Sequence, residues 1–185
     1  LNRRLMAQAR EHSLPALTLG LGSEPLLDPH TPHWIELAVQ AGIMDIRLGT
    51  NGLLLNEDMS AALVDSGLTR LEISVDASRP ETYRAIRGGS LERLERYIDD
   101  FLNVRSRRDS VAPLLRLSSI ELALNQGVLD LFLNRWQDQA DLISIQKAIW
   151  FPGSRLEAPA DPGSSLAPTC GPSLPRLAVN QDGSI

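Results

Sequence analysis

Cysteine is almost absent from this chain: Cys170 is the single one among 185 residues. A lone thiol excludes an internal disulfide framework and suits a reducing cytoplasm. Positive charge is not in excess either. Eighteen Lys and Arg against 23 Asp and Glu give a net charge of −5 and a pI near 5.2. That balance argues against nucleic acid as a partner. No apolar run is long enough to cross a bilayer and no signal-peptide pattern is present, so no membrane partner is expected. Histidine is scarce. His12, His30 and His33 lack a second metal ligand at useful spacing and read as surface or loop residues.

Apolar residues make up 43% of the sequence, enough for one sizeable core. The chain opens inside a helical pattern (Leu1, Leu5, Met6, Ala9) without an initiator Met and stops in mid-pattern at Asp182-Gly183-Ser184-Ile185. It is therefore read as part of a longer protein. A short apolar run, Ala16–Leu19, reads as a buried strand that breaks into Gly20-Leu21-Gly22-Ser23 and then Glu24-Pro25. Thr31 is the expected cap of a helix with Pro32 at its first position and Trp34, Leu37, Ala38 and Ala41 on its apolar face. Ile43–Leu48 is the next strand, followed by a helix capped by Asn56 and a strand Leu71–Asp76. A short helix Pro80–Ile86 precedes a longer one capped by Ser90, with Leu91, Leu94, Ile98, Phe101 and Leu102 along one face. Arg105–Asp109 reads as a solvated connection. Strand Leu114–Leu122, helix Val128–Gln137 and strand Leu142–Gln146 complete the series.

Five strands alternating with helices imply parallel strands in an α/β sheet or barrel. Residues 1–150 are expected to form that domain. From Phe151 onward Pro, Gly and Ser crowd together, and residues 151–185 read as a linker and the start of a small β-rich module. There Leu177–Asn180 leads into the hairpin signal Gln181-Asp182-Gly183.

The polar residues fall at strand C-termini, the edge where parallel α/β sheets bind ligands. Gly22-Ser23-Glu24-Pro25 follows the first strand, and Thr50-Asn51-Gly52 follows the second. Ser74 and Asp76 are two apart, which places them on one face of the third strand. Arg87 lies just past the next helix; Arg116 with Ser118, and Ser144 with Gln146, share faces on the last two strands. Each has a plain alternative. Thr50-Asn51-Gly52 can be a turn, Ser74 and Asp76 a satisfied pair or a cap, Arg87 a helix-end cation and Arg116 a structural ion pair. The regularity of the series is what points to one shared cavity.

The run GSEPLLDP, then LGTNGLLL, then GLTRLEISVDASRPETYRAIRGG, resembles the radical S-adenosylmethionine (radical SAM) superfamily, in particular members with a C-terminal SPASM or twitch auxiliary-cluster module. The resemblance implies a partial (β/α)6 TIM-like barrel. It places Gly22, Ser23, Glu24 and Pro25 on the motif that binds the cofactor's methionyl amino group, with Ser23 where a second glycine is usual. Ser74 and Arg87 match positions that hold ribose and carboxylate, and Thr50 and Asn51 line the same cavity. Cys170 matches the first cysteine of the auxiliary cluster. Asp76, Arg116 and Gln146 are expected to face substrate.

The largest departure from that family is the missing Cys-x3-Cys-x2-Cys loop of the catalytic cluster, expected upstream of Leu1; one thiolate cannot hold a cluster that normally needs four ligands. For the intact protein the resemblance implies S-adenosylmethionine, a catalytic 4Fe–4S cluster, an auxiliary iron–sulfur cluster and an electron donor such as flavodoxin or ferredoxin. Reductive cleavage would yield a 5′-deoxyadenosyl radical that abstracts a substrate hydrogen, with a peptide or protein as the expected substrate. Molybdenum-cofactor-type cyclisation, radical methyl transfer and a non-catalytic barrel serving as a partner subunit are the alternatives.

Overall fold

A computed structural model describes residues 2–20, 22–148 and 179 of the chain. Residues 2–147 form one compact unit. Its elements run α1 (Asn2–Glu11), β1 (Ala16–Leu19), α2 (Thr31–Gln40), β2 (Asp45–Thr50), α3 (Glu57–Asp65), β3 (Arg70–Ser74), α4 (Pro80–Arg87), α5 (Leu91–Arg107), β4 (Leu114–Glu121), α6 (Leu129–Trp136) and β5 (Leu142–Lys147). The five strands are all parallel and lie side by side in chain order. A doubly wound sheet reverses its order part-way across; this one does not, and an unreversed parallel series is barrel topology. The fold is a partial TIM-like barrel, one of the two arrangements that the alternation left open and the one that the resemblance implied. The expected tail module, its hairpin and Cys170 lie outside the described residues.

One face of the sheet makes the core. Ile46, Leu48, Leu71, Ile73, Leu115 and Leu117 alternate along three adjacent strands, and none of them is exposed. They pack in one cluster with Ile35 and Ala38 of α2, Leu63 of α3, Leu94, Ile98 and Phe101 of α5, and Phe132 and Trp136 of α6. Truncating any of the strand leucines to Ala should cost about 2–5 kcal/mol. The opposite face is polar by the same alternation. Arg47, Gly49, Glu72, Ser74, Arg116, Ser118 and Ser144 occupy it, with Gly49 beside Glu72, Glu72 beside Arg116, and Ser74, Ser118 and Ser144 in one row.

Local chemistry sets the boundaries of the elements. Asn56 accepts the Met59 N–H at 2.9 Å and Ser90 the Arg93 N–H at 3.1 Å, so both expected caps are in place. Helix α2 differs from expectation. Thr31 is already its first residue, and its hydroxyl donates to the Pro25 carbonyl at 2.7 Å instead of capping. The buried ridge is consequently Thr31, Ile35 and Ala38. Trp34 stays half-buried because its indole N–H donates to Asp28 at 2.9 Å. β1 is not buried: with β2 as its one neighbour among the described residues, it alternates exposed and half-buried positions. Strand β2 runs two residues later than expected, through Thr50. The solvated connection expected at Arg105–Asp109 is also corrected, since α5 continues to Arg107. Arg105, Arg107 and Arg108 pair with Asp141, Glu57 and Asp65, carboxylates 36 to 50 residues away in sequence.

Candidate functional site

The site starts where β1 and β2 end. Gly20 leaves β1 at φ +91°, and a Cβ there would stand 2.2 Å from the Gly49 carbonyl oxygen. Only glycine lets the two strand ends approach this closely. Beyond it Gly22 and Ser23 are exposed, and a Cβ on Gly22 would meet nothing within 4 Å. Pro25 opens a single 3-10 turn, Pro25–Leu27, and leaves Glu24 extended (φ −79°, ψ 110°), because a residue before proline is disfavoured in the helical region.

Glu24 then reaches across to β2. Its Oε1 accepts the Thr50 hydroxyl at 2.6 Å and the Leu26 N–H at 3.1 Å, and its Oε2 accepts the Asn51 N–H at 2.7 Å. The Thr50 hydroxyl oxygen in turn accepts the Gly52 N–H at 3.0 Å, and Asn51 Oδ1 accepts the Leu53 N–H at 2.9 Å. The loop is held from within. Both Glu24 oxygens are engaged by the protein, and Thr50 is buried. These two side chains fix the shape of the strand-end loop, while Asn51 keeps its amide N–H groups at a half-buried position.

On the polar face Glu72, 9% exposed, pairs with Arg47 and lies 3.9 Å from Arg116 Nε. Arg116 Nη2 donates to Ser144 Oγ at 2.8 Å, and Gln146 Nε2 lies 3.4 Å from the same oxygen. Two guanidiniums around one carboxylate leave a net positive charge on this face. Arg47 Nε is buried with no partner among the described residues. Arg47 and Glu72 went unread in the sequence, although the polar residue within an apolar strand that singled out Arg116 occurs in β2 and β3 as well.

Asp76 is where geometry departs most from expectation. It does not share a face with Ser74, because β3 ends at Ser74 and Asp76 adopts a left-handed conformation (φ +59°). Its side chain is turned back into the protein, 3% exposed overall. Oδ2 accepts Arg87 Nε at 2.6 Å and pairs with Nη2, while Oδ1 accepts the Ile120 N–H at 2.7 Å. Arg87, expected beside Ser74, thus meets Asp76, with 29% of its side chain exposed. Asn125, fully buried, closes the arrangement. Its Nδ2 donates to the Asp76 carbonyl at 2.6 Å and the Ile120 carbonyl at 2.7 Å, and its Oδ1 accepts the Leu122 N–H at 2.7 Å. Its signal in the sequence was weak, a turn asparagine after a strand. Tyr83 is buried close by, its hydroxyl without a partner among the described residues. Burial pushes its phenol pKa up, with Arg87 opposing and Asp76 adding to the shift.

The structure therefore brings Glu24, Thr50 and Asn51 into one hydrogen-bonded loop, Asp76 and Arg87 into a pair, and Arg116, Ser144 and Gln146 into a row. Glu24, Thr50, Asn51, Asp76, Arg87 and Gln146 stand at or near the C-terminal ends of the strands, whereas Arg116 and Ser144 lie further back on the polar face, each the third residue of its strand. For a cofactor with an amino acid moiety the donor set fits: open space at Gly22, a half-buried hydroxyl at Ser74 and an Arg87 guanidinium whose Nη1 is unbonded among the described residues. For an iron–sulfur cluster it does not. The described residues contain no cysteine and no group of three His, Cys, Asp or Glu able to hold a metal. None of their helices is long and apolar enough to cross a membrane.

Comparison with known proteins gives two findings. A family model described as the radical SAM superfamily matches residues 3–112. The chain is also similar to curated proteins named probable GTP 3',8-cyclase. That of Methanococcus maripaludis is 40% identical over 84 residues, covering 45% of this chain and 28% of its own length. That of Methanothermobacter marburgensis is 43% identical over 79 residues, 42% and 26% of the two chains. That of Methanocaldococcus jannaschii is 35% identical over 105 residues, 56% and 33%. The matches thus span 26% to 33% of these relatives' own lengths.

Proposed function

The chain belongs to the radical SAM superfamily, and on that premise we propose that it forms the S-adenosylmethionine-binding part of an enzyme that takes a hydrogen atom from an anionic substrate. The observation that carries this reading is the convergence of Glu24, Asn51, Ser74 and Arg87 on the C-terminal edge of an unreversed parallel sheet, with Arg116 further back on its polar face. When bound, the cofactor supplies a carbon radical able to abstract hydrogen; the protein's part is to orient and enclose.

Gly22 and Ser23 offer backbone groups to the amino end, in a loop that Glu24 and Pro25 shape and Thr50 braces. Ser74 and Arg87 donate to the carboxylate, and the Asn51 amide donates to ribose hydroxyls. Arg116 and Gln146 face substrate, joined by Arg47. Asp76 acts on Arg87 instead of on substrate. The face with two arginines and one glutamate favours an anionic substrate over a neutral one. The family's catalytic 4Fe–4S cluster has no ligands among the described residues. An auxiliary iron–sulfur cluster starting at Cys170, an electron donor such as flavodoxin or ferredoxin, and a cytoplasmic setting belong to the same reading.

A specific second reading comes from the relatives' names: a guanine nucleoside triphosphate is such an anionic substrate, and cyclisation would be the outcome. Peptide or protein modification rests on the resemblance of the tail alone. The test uses the anaerobically reconstituted full-length protein with S-adenosylmethionine and dithionite, after its iron and sulfide content and UV-visible spectrum are measured. Mass spectrometry should find 5′-deoxyadenosine whose yield rises with added GTP. A yield that rises with peptide and not with GTP restores the peptide reading. No cleavage at full cluster loading refutes the enzymatic one in favour of a partner subunit.

A further inference from the structure

Arg87 is the last residue of α4, and Gly88 follows it in a left-handed cap. A cation in that position is drawn to the uncovered carbonyls of its own helix end. Here it is drawn elsewhere. Both Arg87 Nε and Nη2 go to Asp76 Oδ2, which leaves Nη1 facing away from the pair. The direction of the guanidinium is therefore set by Asp76, whose own position is unusual. A non-glycine residue at φ +59° carries backbone strain of about 1–2 kcal/mol and persists only where its surroundings enforce it.

The enforcing contacts form a closed ring. Ile120 gives its N–H to Asp76 Oδ1, Ile120 gives its carbonyl to Asn125 Nδ2, and the same Nδ2 donates to the Asp76 carbonyl. The Asn125 amide is saturated, with both donors and its acceptor engaged at 2.6–2.7 Å and no exposed surface. Tyr83, four residues before Arg87 and so on the same helix face, is wholly buried on that side. Ring and ring-bound carboxylate lie inside; one guanidinium edge looks out.

We propose that Asp76 and Asn125 are positioning residues: Asn125 locks the left-handed turn at the end of β3, and Asp76 uses that fixed position to aim Arg87 at the cofactor's carboxylate. The inference rests on the reading of Arg87 as a carboxylate ligand given above. Preorganisation of this kind raises affinity by removing the ordering cost of a long, mobile side chain. It acts only on ligands that carry the carboxylate, which separates it from a merely structural role.

The test compares two ligands on the full-length, cluster-loaded protein by isothermal titration calorimetry, with thermal unfolding measured in parallel. S-adenosylhomocysteine carries the carboxylate; 5′-methylthioadenosine has the same nucleoside thioether without it. Asp76→Asn keeps the shape and the Ile120 bond but loses the charge facing Arg87. It should weaken S-adenosylhomocysteine roughly 10-fold and leave 5′-methylthioadenosine unchanged. Asn125→Asp loses both donors and should act in the same selective direction; if it fails to fold, Asp76→Asn alone decides. Arg87→Ala should show the same selectivity, and its failure to do so would overturn the assignment of Arg87 itself. If Arg87→Ala is selective while Asp76→Asn binds both ligands like the wild type, the positioning role is refuted. Equal weakening of both ligands by Asp76→Asn, with a lowered melting temperature, refutes it as well in favour of a structural role.

Discussion

Replacing Glu24 tests whether one carboxylate holds the two strand ends together. It receives three donors: the Thr50 hydroxyl at 2.6 Å, the Asn51 N–H at 2.7 Å and the Leu26 N–H at 3.1 Å. A hydrogen bond to a charged group contributes roughly 1.5–3 kcal/mol, and the Thr50 and Asn51 bonds are partly shielded from water. Glu24→Ala strands those two donors and should cost about 3–5 kcal/mol, a large share of a typical domain's stability. Glu24→Gln is the sharper variant. If its oxygen keeps Thr50 and Leu26, its NH2 must face the Asn51 N–H, donor against donor. A loss of about 2 kcal/mol follows. Thr50→Val removes one partner and leaves the Asn51 bond, so the Glu24→Gln/Thr50→Val cycle should show a coupling of about 1 kcal/mol or more. Urea titrations of the full-length protein, followed by far-UV circular dichroism, give each value. Glu24→Gln within about 0.5 kcal/mol of the wild type would refute the argument, because it would mean that the carboxylate is not what joins β1 to β2.

Gly20→Ala, with φ +91° and a Cβ 2.2 Å from the Gly49 oxygen, should destabilise by about 2–4 kcal/mol, whereas Gly22→Ala, with nothing within 4 Å, should stay within about 0.5 kcal/mol in the same titration. Equal effects would remove the claim of close strand approach. Tyr83→Phe should stabilise by about 1 kcal/mol, since it deletes a buried hydroxyl without a partner among the described residues; a loss of melting temperature would reveal a bond that the hydroxyl makes. Asp28 is held below its ordinary 3.8 by the His30 N–H, then by the Trp34 indole, each at 2.9 Å. A pKa depressed in the fold stabilises above the unfolded value and loses that contribution as pH falls through the folded one. The stability difference between wild type and Asp28→Asn should therefore be level well above 3.8 and shrink in more acidic solution, and a difference that does not change with pH contradicts it.

Much of the fold was legible because it rests on short-range rules. Apolar alternation in Ile46–Leu48, Leu71–Ile73 and Leu115–Leu117 marks strands that are dry on one side. Asn56 and Ser90 each announce the helix that begins at the next residue, since a cap bonds within its own turn, here to the N–H three residues on. The candidate site was read as a pattern of polar residues at strand ends, and the structure brings Glu24, Thr50 and Asn51 together there. Its wiring was not. That Glu24 would meet Thr50 and Asn51 depends on a loop closure across 26 and 27 residues. That Asp76 would turn away from Ser74's face depends on Asn125, 49 residues on.

The sequence by itself determined the alternation of elements, the parallel sheet and the edge at which its polar groups gather, because each follows from the period of a strand or helix and the chemistry of adjacent residues. The tertiary structure alone decided which of those groups are engaged and which look outward. A carboxylate is satisfied by whatever donor the folded chain brings within 3 Å or so, and for Glu24, Glu72 and Asp76 those donors come from other strands and loops far along the chain.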